Sequence, residues 1–211
     1  MPEEILPDVY DITVMEGEGR RLRAYLFDGP TPTLVDTGLE STTEALFDGL
    51  DDLGVEPERV VITHHDGDHT GGLPAVVDRF APEVFVPEQT PDDALGGVEP
   101  DVRFGHRDAV GDFVAVHTPG HEADNYALVD ESRNLVVAGD ALSGSDQRGL
   151  PAGYLILPPA IYSEDLNEAE VSLERLLKYD FDAVLVFHGS SVLEGAKDKL
   201  DAFVNFPGKP S

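Results

Sequence analysis

One short stretch of the chain concentrates side chains that bind metal ions. The segment THHDGDHTGG, residues 63–72, holds three of the seven histidines together with two aspartates. It directly follows the apolar run Val60, Val61 and Ile62, which is typical of a buried strand. Imidazole and carboxylate groups at this density suit Zn²⁺, Fe²⁺ or Mn²⁺. We therefore expect a metal-binding loop at the carboxyl end of a strand.

Four other segments show the same pattern, an apolar run that ends in His or Asp beside Gly. They are LVDTG at 34–38, FVAVHTPGH at 113–121, LVVAGD at 135–140 and AVLVFHG at 183–189. Strands that run parallel within a sheet bring their carboxyl ends to one edge, so these polar groups are expected to converge in one cleft. The chain has no cysteine, which excludes thiolate ligands and a cysteine nucleophile.

The order and spacing of these segments resemble the metallo-β-lactamase superfamily of binuclear metallohydrolases. The family's loop reads T-H-x-H-x-D-H before a glycine-rich helix start, and residues 63–72 match it except at one position. Further matches follow in the family's order at Asp36 of DTG, His121 of PGH, Asp140 of GD and the late strand-end residue His188. The resemblance extends from about residue 10 to residue 190 and rests on five ordered matches.

The resemblance implies two divalent metal ions, with zinc expected and iron or manganese as alternatives. It assigns site one to His64, Asp66 and His121, site two to Asp68, His69 and His188, and the bridge between the metals to Asp140. Asp68 is also the implied catalytic residue, because its family counterpart orients the attacking water.

Asp66 is the position at which the chain departs from the family, since the second histidine of the motif is replaced by a carboxylate. Flavodiiron proteins, a branch of the same superfamily, place Glu there and hold iron. The substitution leaves the metal identity and the occupancy of site one open.

Other residues are expected to support the site. Asp36 resembles a buried structural aspartate of the family, and His117 is expected to hydrogen-bond behind the ligands. The segment 143–163 is rich in Gly and Pro and follows Asp140 closely, so it is interpreted as a lid or substrate wall or, alternatively, as a passive connection. Its candidate substrate contacts are Arg148, Tyr154 and Tyr162.

The implied activity is metal-dependent hydrolysis, in which metal-bound hydroxide attacks a small ester, thioester, lactone or phosphoester. A non-haem iron oxidoreductase on the same scaffold is the alternative motivated by Asp66. A metal-binding protein without turnover is a third hypothesis.

The composition limits partners and location. Asp and Glu number 42 against 14 Lys and Arg, for a net charge of −28, which resembles proteins of salt-accumulating halophilic microbes. This charge disfavours nucleic acid as a partner. No apolar run approaches the roughly 18 residues that span a bilayer, and the acidic amino terminus is unlike a signal peptide. We expect a cytoplasmic protein acting on a small molecule, with its oligomeric state open.

The periodicity predicts one domain over residues 1–211, with two sheets back to back and helices outside, the αββα sandwich of the metallo-β-lactamase type. A doubly wound sheet competes on pattern alone. Ser41 and Glu44 suggest a capping box for a helix that ends at Gly54. Further helices are predicted over residues 71–80, 165–179 and 193–204.

Overall fold

The computed structural model describes residues 2–17 and 20–206 of the chain. Residues 1, 18, 19 and 207–211, which belong to the predicted domain span, lie outside the described part. The chain forms two compact units, Met1–Phe104 and Gly105–Ser211. Among the described residues, no helix combines the length and apolar character that crossing a bilayer requires.

The first unit is built on a seven-stranded sheet whose strands lie side by side in chain order. They are β1 (Glu3–Leu6), β2 (Val9–Gly17), β3 (Arg20–Phe27), β4 (Thr33–Val35), β5 (Arg59–Val61), β6 (Glu83–Pro87) and β7 (Val102–Phe104). Strands β1 to β4 pair antiparallel, whereas β4 to β7 pair parallel. The carboxyl ends of β4 and β5 therefore meet at one edge, as their sequence pattern predicted.

The described residues of this unit include the α-helices α1 (Thr43–Leu53), α2 (Gly67–Thr70) and α3 (Leu73–Phe80). Leu46 and Leu50 of α1 and Leu73 and Val76 of α3 form one core with alternate residues of the strands. Helix α1 ends at Gly54, as predicted, where a positive φ lets the backbone N–H bond Leu50.

The predicted capping box at Ser41 and Glu44 is wrong. A 3₁₀ turn over Glu40–Thr42 precedes α1, which makes Thr42 the N-cap residue, without a side-chain cap bond. The Thr42 hydroxyl instead donates to the carbonyl of Leu39.

The second unit has a five-stranded sheet with the order β14, β11, β10, β9, β8. Its strands are β8 (Ala109–Val110), β9 (Phe113–His117), β10 (Tyr126–Asp130), β11 (Leu135–Val137) and β14 (Ala183–Leu185). Because β9 and β11 are both antiparallel to β10, and β14 is parallel to β11, three strands run in one direction. The segments after β9, β11 and β14 consequently start from the same edge of the sheet.

Helical segments of this unit include α4 (Leu166–Ser172), a 3₁₀ stretch over Leu173–Lys178 and α5 (Ala196–Val204). Leu173, Leu176 and Leu200 of the last two belong to its buried core. The helix predicted over residues 165–179 is therefore two consecutive segments, an α-helix followed by a 3₁₀ helix. Asp165 caps α4 through hydrogen bonds from the backbone N–H groups of Asn167 and Glu168. The segment 143–163 is not structureless, because β12 (Ser143–Gly144) pairs with β13 (Leu155–Ile156) inside it.

The turn between β10 and β11 is fixed by the carboxylate of Asp130. One oxygen accepts hydrogen bonds from the backbone and hydroxyl of Ser132 and the backbone of Arg133, and the other accepts the Arg133 guanidinium at 2.6 Å. Burial raises the pKa of Asp130, but the hydrogen bonds from Ser132 and Arg133 outweigh it, so the pKa lies below its usual value. The charged form of Asp130 therefore stabilises this hairpin.

We expect Asp130→Asn to lower the free energy of unfolding near neutral pH by about 1–3 kcal/mol, since it weakens a buried, charge-assisted network. Because the folded pKa of Asp130 is depressed, its contribution is full above the unfolded value of about 3.9 and is lost as the pH falls through the folded value. Denaturant unfolding in molar KCl at several pH values, followed by circular dichroism, measures the difference.

The matched control is Asp112→Asn, which removes an exposed carboxylate 3.3 Å from the same Arg133. We expect the control to stay within about 0.5 kcal/mol of the unaltered chain. Equal stability of the two variants at neutral pH would contradict the role given to Asp130.

Candidate metal centre

In the first unit, Asp36 anchors the loop that carries most of the candidate ligands. Asp36 follows β4, is fully buried and has a φ of 58°, a conformation that aspartate tolerates better than most residues. Its Oδ1 accepts the backbone N–H of Thr63 at 2.8 Å, and its Oδ2 accepts the Thr63 hydroxyl at 2.7 Å. This pair of bonds fixes the start of the 63–72 loop beside the end of β4.

The same network decides which nitrogen of each imidazole carries the proton. The Nδ1 of His69 lies 2.7 Å from Asp36 Oδ2, which can only accept, so Nδ1 is the donor. The Thr63 hydroxyl already donates to Asp36, so at its 3.0 Å contact with His64 Nδ1 it accepts. In the neutral form of both imidazoles the lone pair is therefore on Nε2, which is the protonation state that metal ligation requires.

Asp66 and Asp68 flank the start of α2. The carbonyl of Asp66 accepts the backbone N–H groups of His69 and Thr70, and Asp68 lies half-buried in the first turn. Asp66 Oδ2 is 3.7 Å from His64 Nε2. One ion with bonds of about 2.0–2.2 Å to each atom fits that separation.

Two glycines allow this loop to pass close to its neighbours. A Cβ on Gly71 would lie 2.4 Å from the backbone nitrogen of Glu40, and one on Gly72 would lie 2.4 Å from the carbonyl oxygen of Thr37. Thr37 in turn donates its backbone N–H and its hydroxyl to the carbonyl of His69, each at 2.8 Å. The backbone around His69 is thereby held from both sides.

In the second unit, the segments after β9, β11 and β14 bring three candidate ligands together. Asp140 is 5% exposed, and its Oδ2 lies 3.6 Å from Nε2 of His121 and 3.1 Å from Nε2 of His188. A single carboxylate oxygen that faces two imidazole nitrogens is suited to bridging two cations. These three residues were predicted from the sequence as ligands.

Asn125 supports this arrangement and was not identified from the sequence. Its side chain is buried, and its Oδ1 accepts the backbone N–H of Asp140 at 2.9 Å. Its Nδ2 donates to the carbonyl and hydroxyl oxygens of Thr118, at 3.1 and 2.9 Å. Asn125 therefore ties the segment that leads to His121 to the segment that carries Asp140.

The loop of His121 is bound to the segment that precedes α4. The backbone N–H of Glu164 donates to the carbonyl of His121 at 2.9 Å. The Ser163 hydroxyl donates to the carbonyl of Pro159 and so accepts from His121 Nδ1, in a longer contact of 3.4 Å. His121 thus donates from Nδ1 as His64 and His69 do, and its Nε2 faces Asp140.

Asp146 and Ser190 hold the loop of His188, and neither was singled out from the sequence. The carboxylate of Asp146 accepts the backbone N–H and the hydroxyl of Ser190, both at 2.7 Å. The backbone N–H of Gly144 donates to the carbonyl of His188 at 2.8 Å. A Cβ on Gly189 would lie 2.5 Å from the carbonyl oxygen of Gly144, so this close approach depends on glycine.

His117 lies behind the turn that leads to His121. Its ring stacks on Tyr126 with centroids 4.7 Å apart, and its Nε2 donates to the carbonyl of Ala123 at 2.8 Å. Its backbone N–H donates to Nδ1 of His106. Burial and the charge of Arg175 lower the pKa of His106, which keeps the imidazole neutral and able to accept this bond at neutral pH.

The predicted substrate contacts lie on the surface of the second unit. Tyr154 and Tyr162 are exposed. Arg148 is also exposed, and its guanidinium donates to the carbonyl of Leu157 at 3.0 Å. Whether these residues contact substrate stays a prediction.

The hydrogen bonds fix a pattern that can be measured directly. In metal-free protein above the imidazole pKa values, we expect His64, His69 and His121 to be Nδ1–H tautomers, because Asp36, Thr63 and Ser163 accept from Nδ1. Long-range ¹H–¹⁵N correlation spectra distinguish the two tautomers, with His106, whose Nδ1 is an acceptor, as the internal reference of the opposite type. An Nε2–H tautomer at His69 would contradict the described network.

Comparison with known proteins places the chain in a family. The family model described as the metallo-beta-lactamase superfamily matches residues 23–188. The lactamase-like protein adaB of Aspergillus niger is 30% identical over 202 residues, covering 89% of this chain and 59% of that protein. A protein of Pseudocercospora fijiensis named atrochrysone carboxyl ACP thioesterase is 30% identical over 115 residues, or 53% of this chain and 34% of that protein.

The chain therefore spans about three fifths of the first of these relatives and about a third of the second. Among solved structures, a metallo-beta-lactamase from Pontibacter korlensis superposes with a TM-score of 0.75 at 23% identity, covering 97% of both chains. This likeness confirms the fold class predicted from the sequence. With most of its length matched by the family model, the chain belongs to the metallo-beta-lactamase superfamily.

Proposed function

We propose that this chain is a metal-dependent hydrolase in which candidate ligands of the two units hold two divalent ions. The proposed sets are His64, Asp66 and His121 for site one and Asp68, His69 and His188 for site two, with Asp140 as the bridge. The proposal rests on one observation in a chain of this family: Asp140 Oδ2 lies 3.6 Å from Nε2 of His121 and 3.1 Å from Nε2 of His188. The protonation pattern of His64, His69 and His121 supports it, because each presents Nε2 as a ligand atom.

The residues have distinct tasks in the proposed reaction. When bound, divalent ions lower the pKa of a water molecule toward about 7 and polarise a carbonyl oxygen. Asp68, on the half-buried first turn of α2, would orient a water molecule and accept its proton. The water oxygen bonds to the carbonyl carbon, the bond to the leaving oxygen or sulfur breaks, and a proton passes to the leaving group.

Esters and thioesters are the substrates we favour, and zinc is the proposed metal. One relative is named a thioesterase, which supports a carbonyl substrate. The ligand set contains only nitrogen and oxygen donors, which zinc accepts readily in catalytic sites.

A non-haem iron oxidoreductase is the second candidate function, and Asp66 is the observation that favours it. The carboxylate of Asp66 lies 3.7 Å from His64 Nε2, and a carboxylate with histidines is a ligand set that iron also accepts. Oxygen consumption by the iron-loaded protein, without hydrolysis by the zinc-loaded protein, would replace the first proposal with this one.

We expect the unaltered chain, prepared in molar KCl, to bind about two equivalents of divalent metal and to hydrolyse aryl esters or thioesters. Asp140→Ala removes the bridge, so the bound metal is expected to fall to one equivalent or less. Its kcat/KM should decrease at least about 100-fold, because changing even a residue that only supports a metal ligand can reduce activity by up to about 100-fold. Elemental analysis and steady-state kinetics measure the two effects.

Asp112→Asn is the control, because it removes an exposed carboxylate of the same unit that contacts Arg133. The control should retain both the metal content and the rate. Unchanged metal content and unchanged kcat/KM in Asp140→Ala would overturn the proposed centre.

A further inference from the structure

Residues 150–162, LPAGYLILPPAIY, form a segment that differs in chemistry from the rest of the chain. Charged residues make up 27% of the chain, whose net charge is −28, yet these thirteen residues include none. We call this stretch the neutral segment. It interrupts an otherwise strongly acidic sequence shortly after Asp140.

The neutral segment exposes large apolar side chains. Six large hydrophobic side chains are more than half exposed among the described residues, and four of them, Leu150, Tyr154, Ile161 and Tyr162, lie in this segment. Single exposed hydrophobic residues are ordinary on protein surfaces, but a local concentration indicates a contact surface. Ile161, at 82% exposure, is the most exposed of the six.

The neutral segment is held in place rather than loosely attached. Leu155 belongs to the buried core of the second unit, and Leu157 packs against it. Strand β13 pairs with β12, and the carbonyl of Tyr154 accepts the backbone N–H of Ser145. The exposed side chains are therefore presented from a fixed backbone, which lowers the entropy lost when a ligand binds.

Residues before and after the neutral segment are joined to the candidate ligands by hydrogen bonds. On one side, Gly144 in β12 donates to the carbonyl of His188. On the other side, Ser163 follows Tyr162 directly and accepts from His121 Nδ1. The neutral segment therefore lies in the chain between two residues, Gly144 and Ser163, that are hydrogen-bonded to proposed metal ligands.

The chemistry of the neutral segment selects against anionic ligands. Phosphate groups are recognised by arginine, lysine or clustered N–H donors, and the segment has no cationic residue. An apolar, uncharged group is the ligand that gains free energy by covering these side chains.

We propose that the neutral segment binds the alkyl or aryl acyl group of the substrate, so that the site selects neutral esters or thioesters of hydrophobic acids over phosphoesters and acetyl esters. This inference rests on the proposed hydrolase function and names its substrate class. Leu150, Tyr154, Ile161 and Tyr162 are the specificity-determining side chains.

The first experiment measures binding without turnover. Metal-free protein is titrated calorimetrically with octanamide and with acetamide, which are unreactive counterparts of a long and a short acyl group. We expect octanamide to bind and acetamide to bind at least about 10-fold more weakly, since each buried methylene contributes about a fourfold gain in affinity. Ile161→Ser and Tyr162→Ser should each weaken octanamide binding by about 10-fold.

Val171→Ser is the matched control, because Val171 is also more than half exposed and lies in α4, outside the neutral segment. It should bind octanamide like the unaltered chain. Equal binding by Ile161→Ser, Tyr162→Ser and Val171→Ser would overturn the inference.

The second experiment uses the metal-loaded enzyme. The ratio of kcat/KM for p-nitrophenyl octanoate to that for p-nitrophenyl acetate should fall about 10-fold in Ile161→Ser and remain unchanged in Val171→Ser. If no ester is hydrolysed while octanamide binding follows the expected order, the hydrolase proposal fails and the binding surface stands. If both esters are hydrolysed without discrimination, only the substrate-class inference fails.

Light scattering in the same salt tests the other possible occupant, a second copy of this chain. A dimer that becomes a monomer in Ile161→Ser, but not in Val171→Ser, would show that the neutral segment covers an interface between copies. That result would overturn the substrate-binding role.

Discussion

The buried carboxylate of Asp140 is the constraint on which the functional interpretation depends. A charge that is 5% exposed must be compensated, and its Oδ2 faces the Nε2 atoms of His121 and His188. A cation bound between this oxygen and each imidazole would neutralise the carboxylate and use both Nε2 atoms as ligands. The sheet of the second unit brings these three residues together, because β9, β11 and β14 run in the same direction and the segments that follow them start at one edge.

A layer of uncharged and acidic groups behind the candidate ligands makes the arrangement specific. Asp36 sets the proton of His69 and, through Thr63, that of His64. Asn125 joins the His121 and Asp140 segments, while Asp146 fixes the loop after His188 through Ser190. The contacts of Asp36 with His69 and of Asp146 with Ser190 link residues 33 and 44 positions apart, so much of the precision of the ligand positions comes from tertiary structure rather than from the motif itself.

The sequence predicted the features that depend on local pattern. Strands β4 and β9 lie on the apolar runs of LVDTG and FVAVHTPGH, and Gly54 ends α1, because apolar runs and left-handed glycine are local signals. The predicted capping box at Ser41 was wrong because a 3₁₀ turn over Glu40–Thr42 moves the start of α1 to Thr43. The partners of Asn125 and Asp146 are 7 to 44 residues away, so no spacing rule reveals them. The pairing of β12 with β13 also joins residues that are separated in sequence, so the sequence pattern did not predict it.

Anomalous diffraction at the zinc and iron absorption edges, from a crystal grown with metal, tests the central claim most directly. We expect two peaks about 3.5–4 Å apart, both bonded to Asp140. His64 and Asp66 should ligate one of the ions, and Asp68 and His188 the other. The proposal that the two units build one binuclear centre would be contradicted by a single bound ion. It would also be contradicted by an ion at Asp140 that has no ligand from the 63–72 loop.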